Sequence, residues 1–239
     1  MLFFTNTFYL FGQNKSVTAE DQQWLQYYNE TQLSEKWVWL SDVGYRWQKG
    51  FQESSQYLIR TGIGYNLNSN LRISSGFAHL GFYSNDTLAK TEFRPYQEIQ
   101  INNKFDKIEI SHRYRIEERF FYPSINTRTP SLNTFNFRFR YSIMVSFPLF
   151  KLSQNSEKEI ILNIGNEIFI NAGKEIVINL FDQNRLIISP ELKLNKQLSF
   201  SVTWNNQFAS TPIEGHFKQA DIIWLQIKHK LSLKKKQNR

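Results

Sequence analysis

From Gln22 onward the chain alternates apolar and polar residues with a period of two, in segments longer than ordinary strands. That period puts successive side chains on opposite faces of an extended backbone, so each segment reads as a β-strand with one apolar and one polar face. In 134–147, Phe135, Phe137, Phe139, Tyr141, Ile143, Val145 and Phe147 oppose Asn136, Arg138, Arg140, Ser142, Met144 and Ser146. In 107–120, Ile108, Ile110, His112, Tyr114 and Ile116 oppose Glu109, Ser111, Arg113, Arg115, Glu117 and Arg119. The other segments are 22–32, 36–48, 53–67, 71–83, 92–102, 158–171, 183–194, 197–209 and 220–233. They run to 11–15 residues, whereas soluble strands centre on about 5–6 residues and a tilted transmembrane strand takes about 9–11. With no helical repeat and no linker, the fold class predicted is all-β: a single antiparallel transmembrane β-barrel.

Composition removes other classes. There is no cysteine, which excludes disulfide scaffolds, thiol catalysis and cysteine zinc sites. The mean hydropathy is −0.48, and no apolar run nears the ~18 residues of a spanning helix. The net charge of +8 invites a nucleic-acid reading. However, Lys228, Lys230, Lys234, Lys235, Lys236 and Arg239 crowd the last twelve positions, a pattern of solvated ends, and no nucleic-acid partner is predicted.

Arginine and lysine are segregated. Ten of the twelve arginines lie inside the alternating segments, while most of the seventeen lysines lie in turns and at the ends. The polar face mixes Arg and Glu with small residues such as Gly44, Gly62, Gly64, Gly76 and Gly165. A water-facing sheet surface would carry Lys, Thr and Glu; forked cations beside glycine imply an enclosed space crossed by bidentate pairs. Trp37, Trp39, Trp47, Tyr57 and Tyr65 gather toward segment ends, as in interfacial girdles. The apolar face is therefore expected to meet lipid. A soluble barrel with its apolar face inward is the alternative.

The expected lumen network comprises Arg46, Arg60, Arg72, Arg94, Glu98, Glu109, Arg113, Arg115, Glu117, Arg119, Arg138, Arg140, Glu167 and Arg185, with Asp42 among its acids. Ten arginines against five carboxylates predict a lumen about five charges positive, suited to a narrow, porin-like anion path or a solute-binding barrel. A salt-bridge lattice that merely fills the barrel is the competing reading. The run Arg113–Arg119 sets Arg113, Arg115, Glu117 and Arg119 on one wall, with Glu98 diagonal to Arg113. The partners implied are outer-membrane lipids and small anionic solutes. No cofactor and no metal site is predicted.

Connections sort by length. Tight ones fall at Ser34–Lys36, Asn68–Asn70, Asn103–Asp106 and Asn195–Lys196, and longer ones at 84–92, 121–133, 172–182 and 210–219. Short turns are expected on the periplasmic side and long loops outside, with 148–157 a longer periplasmic connection. Eleven segments conflict with the even count of bacterial barrels, so twelve strands are predicted, with ten as the fallback. The extra strand would precede Trp24, although 13–21 are polar. Residues 1–12, LFFTNTFYLF with its flanks, read as the remnant of a secretory signal peptide, leaving 13–239 as the barrel with a basic C-terminal tail.

A hydrolase reading is weak. Ser111 and His112 are adjacent and point to opposite faces, and His79, His216 and His229 share no face with a matching serine and carboxylate. Asp182–Arg185 lacks the oxygens of a calcium loop, and Asn184 and Arg185 at a strand start read as pinning a loop.

An early Trp24 with a hairpin ending at Arg46, R-P-Y-Q-E at Arg94–Glu98, H-R-Y-R-I-E-E-R-F at His112–Phe120, F-R-F-R at Phe137–Arg140 and F-D-Q-N-R at Phe181–Arg185 follow in order. In these the chain resembles a bacterial outer-membrane β-barrel family known as domain of unknown function 2490. The resemblance implies an outer-membrane barrel of a Gram-negative bacterium and no assigned activity. One departure is the end of the chain, Leu231, Leu233 and KKKQNR, where many such barrels finish on an aromatic residue.

Overall fold

The computed structural model describes residues 15–124, 134–152, 157–178 and 180–233. Residues 1–12, Pro130 and the tail beyond 233 lie outside these. Eleven strands close into one barrel: β1 (Ser16–Gln32), β2 (Trp37–Gln48), β3 (Glu53–Asn66), β4 (Leu71–Ser84), β5 (Thr87–Phe105), β6 (Ile108–Pro123), β7 (Thr134–Lys151), β8 (Glu159–Ala172), β9 (Phe181–Lys193), β10 (Leu198–Ser210) and β11 (His216–Ser232).

Each strand pairs antiparallel with the next, but the seam between β1 and β11 is parallel, from Ser16↔His216 to Gln32↔Ser232. This corrects the expectation of twelve strands and of a wholly antiparallel sheet. In an up-and-down meander an odd count leaves the first and last strands pointing the same way, so closure takes a parallel ladder. Among the described residues the polar stretch before Trp24 forms no extra strand. Ser16–Asp21 instead extend β1 along β11, and the ladder to β2 begins only at Gln22↔Gln48.

The connection expected as a long loop at 84–92 is a two-residue turn. Asn85 and Asp86 take positive φ angles of 49° and 56°, as a tight hairpin requires and as Asn and Asp tolerate. A bulge at Phe82/Tyr83 breaks the period there and hid the end of the hairpin. The Ser54 N–H donates to Asp86 Oδ1 at 2.7 Å, tying this turn to the neighbouring hairpin and holding the carboxyl below its ordinary range.

The faces divide by chemistry. On β7, Asn136, Arg138 and Ser142 are buried, whereas Phe137 is 37% exposed and Phe139 44%. The same inversion runs around the barrel: Val43, Ile59, Phe77, Ile99, Ile116, Ile164, Leu186, Val202 and Ile223 are exposed, and most of the buried residues are polar or charged. The arrangement is the reverse of the soluble alternative. Aromatic pairs flank the apolar band on β2–β4, with Trp37 against Tyr65 at one end and Tyr45 against Trp47 at the other, ring centroids 4.8 and 4.7 Å apart.

Glycine has a steric task at one point. Gly62 and Gly76 face each other across β3 and β4, and Tyr96 lies over them. A Cβ on Gly76 would stand 2.8 Å from Tyr96 Oη and 2.6 Å from Gly62 Cα. The Tyr96 ring centroid in turn is 4.6 Å from the Arg115 guanidinium. Gly76→Val should therefore displace Tyr96 and destabilise by about 1–3 kcal/mol, the range for overpacking. Urea unfolding in detergent checks this, and an unchanged midpoint would mean that the backbone of β3 and Tyr96 yield to a side chain here.

Candidate functional site

A cavity of about 680 Å³ runs along the barrel interior and is lined by all ten arginines of the alternating segments. Period two turns them inward, and register aligns them in rows. One row reads Gln100, Arg113, Ser142, Glu167, Arg185 and Gln207 across β5 to β10. The next places Arg115 between Glu98 and Arg140.

A buried carboxylate is tolerated only with charged partners, and these have several. Glu92, fully buried, accepts forked bonds from Arg94 (2.6 and 2.8 Å) and Arg119 (2.8 and 3.2 Å). Glu117 accepts Arg138 Nε and Arg140 Nη1 at 2.7 Å each, with Arg115 and Arg94 at 3.7 and 3.8 Å. Glu167 takes Arg113 at 2.6 Å and Arg140 at 2.7 Å. Glu98 takes Arg115 at 2.7 Å and stands 3.7 Å from Arg113 Nε, the diagonal that the alternation implies. Asp42 holds Arg60 at 2.6 Å, and Glu30 meets Arg72 at 3.1 Å.

Glu109, expected among these, is exposed beside the β5–β6 turn and does not line the cavity. Glu30, Glu92 and Asp182 are the acids that sequence reasoning missed. Glu92 shares the parity of Arg94, Tyr96 and Glu98, so alternation carried the signal, but it stood at the assumed strand start. Asp182 follows no parity: at the bulge where Phe169 pairs Gln183 and Ile170 pairs Phe181, it is the extra residue. It accepts a hydrogen bond from Arg138 Nη1 at 3.1 Å, while Asn184 and Arg185, expected to pin a loop, bond Asn166 and Gln207 on the neighbouring strands. Eight of the ten arginines meet seven carboxylates (Glu30, Asp42, Glu92, Glu98, Glu117, Glu167 and Asp182), so the arginines exceed these acids by three where an excess of five was expected.

Arg46 and Arg185 differ from the rest. Among the described residues neither has a carboxylate in salt-bridge contact. Arg46 donates to Gln56 Oε1 at 2.7 Å and Arg185 to Gln207 Oε1 at 2.9 Å. Glu167, the cross-strand neighbour of Arg185, is turned to Arg113 and Arg140. Guanidinium N–H groups without a counter-charge suit oxyanions, not metal cations.

His79, His112 and His216 do not line the cavity, whereas His229 does. His79, His112 and His229 bond Tyr57, Tyr141 and Tyr27 at 3.2, 3.0 and 3.0 Å. Ser111, on the opposite face from His112, meets Gln100. His216 does reach a serine, Ser16 Oγ at 2.6 Å, but this pair is exposed at the rim where β1 and β11 begin.

No curated protein and no solved structure matches the chain. The model of a family described as Protein of unknown function (DUF2490) matches residues 21–216, from within β1 to the first residue of β11. With that span covered, the chain belongs to the DUF2490 family.

Proposed function

We propose that this barrel sits in the outer membrane of a Gram-negative bacterium and that its polar lumen binds or passes small anions. The observation that carries the reading is the inversion of polarity, an apolar outer band around a cavity where ten arginines exceed their carboxylates. Water does not tolerate an apolar belt around a whole molecule, and lipid does. Arginines in excess within a low-dielectric wall attract anions. Lipids are then the outer partner and small anionic solutes the inner one.

Single-channel recording of detergent-refolded protein in a planar bilayer under a salt gradient tests this. Discrete steps with an anion-selective reversal potential are expected, and Arg113→Gln with Arg115→Gln should shift that potential toward cations. Cation-selective steps would overturn the reading. A second reading, a structural envelope barrel with a closed lumen, is favoured by the Arg113–Glu167 pair, which spans from β6 to β8 at 2.6 Å. Insertion without conductance or anion binding would select it.

A further inference from the structure

We propose that Arg46 and Arg185, with the indoles of Trp24 and Trp224 beside them, form a binding site for a doubly charged oxyanion of the phosphate type. The proposal rests on reading the interior as anion-attracting and names where the anion is held. The Arg46 guanidinium lies 3.8 Å from the Trp24 ring centroid and that of Arg185 lies 5.2 Å from it. Whichever faces they occupy, the two cations are no farther apart than those distances together. Two like charges within that bound raise each other's energy, and among the described residues no carboxylate is in salt-bridge contact with either, Glu167 and Asp182 acting on Arg185 only from beyond that distance.

The surroundings select for an acceptor ligand. Gln56 and Gln207 already spend their carbonyl oxygens orienting the two arginines, which leaves other guanidinium N–H groups for the cavity. Trp24 Nε1 donates to Gln22 Oε1 at 2.9 Å, which pins that indole as a platform. Trp224 packs edge-on against it, centroids 5.2 Å apart, and its buried Nε1–H has no acceptor among the described residues. All four side chains line the same cavity. Donors from two guanidiniums and one indole, with no carboxylate in salt-bridge contact with either arginine, match an anion with several oxygens. The dense wall at Arg113–Arg119, by contrast, is neutralised by Glu92, Glu98, Glu117 and Glu167.

The test is calorimetric titration of the refolded full chain in zwitterionic micelles with inorganic phosphate. Saturable binding is expected, weakened on the order of tenfold or more by Arg46→Gln or Arg185→Gln through loss of a charge-assisted contact. Arg185→Lys should recover part of it, since a point charge replaces a fork. Lys218→Gln removes one unit of charge at the exposed rim and should change nothing. Near-UV circular dichroism confirms that each variant is folded. A parallel titration in nanodiscs with and without phosphatidylglycerol separates the sources: competition by the lipid makes its headgroup the ligand, and indifference makes the ligand free phosphate.

Absence of saturable phosphate binding and of lipid competition in the wild type overturns the site. So does an equal loss in Lys218→Gln, which is a general charge effect. The bilayer recording is read independently. Specific binding in a silent barrel supports the site and removes the path. Anion-selective current with phosphate binding indifferent to both arginines removes the site and leaves the path.

Discussion

Glu117→Ala is expected to destabilise the barrel by about 3–5 kcal/mol, the loss seen when one member of a buried ion pair is deleted. Glu117 is 1% exposed, and its two oxygens divide four arginines between them, Arg138 and Arg140 at hydrogen-bond distance, Arg94 and Arg115 just beyond. Alanine would leave these buried cations facing one another without the carboxylate between them. Glu117→Gln keeps the shape but turns an amide N–H₂ toward a guanidinium and should recover only part. Urea unfolding at constant slope reads the difference. A loss below about 1 kcal/mol, the value of an ordinary exposed pair, would mean that the network is solvated and its pairs interchangeable.

The second large effect discriminates the environment of the outer face. Phe139, paired with Ile116 at the middle of β6, points outward. In lipid, Phe139→Arg should destabilise the folded barrel by about 2–4 kcal/mol, the penalty for a cation at the bilayer midplane. In water the same change at an exposed position would be neutral within about 0.5 kcal/mol. The measurement is denaturant unfolding from lipid vesicles, with Lys218→Arg at the rim as the reference. An unchanged midpoint for Phe139→Arg would mean that this face does not meet hydrocarbon, and the outer-membrane reading would fall.

Most of the strand pattern was legible because alternation is local. Whether Phe137 and Arg138 lie on opposite faces depends only on their being neighbours in an extended chain. The same rule turned Arg94, Arg115 and Arg140 to one side and brought Glu98 diagonal to Arg113. It failed at each place where the period breaks. The bulge at Phe82/Tyr83 concealed the Asn85–Asp86 turn, and the bulge opposite Phe169/Ile170 turned Asp182 inward. Glu109 kept the right parity but lies one residue past the start of β6, where the wall has ended.

The eleven alternating segments, their inner and outer faces, and the separation of arginine from lysine were determined by the sequence alone, since each is a property of residues adjacent in the chain. Closure and pairing were decided only in three dimensions. Nothing local says that β1 and β11 run parallel, because that follows from the parity of the whole strand count. Nor does composition tell which cations are neutralised: Glu167 sits opposite Arg185 yet bonds Arg113 and Arg140, so Arg185 joins Arg46 beside Trp24. Side-chain reach across a closed barrel depends on the registers of many strands at once, and no single segment carries that information.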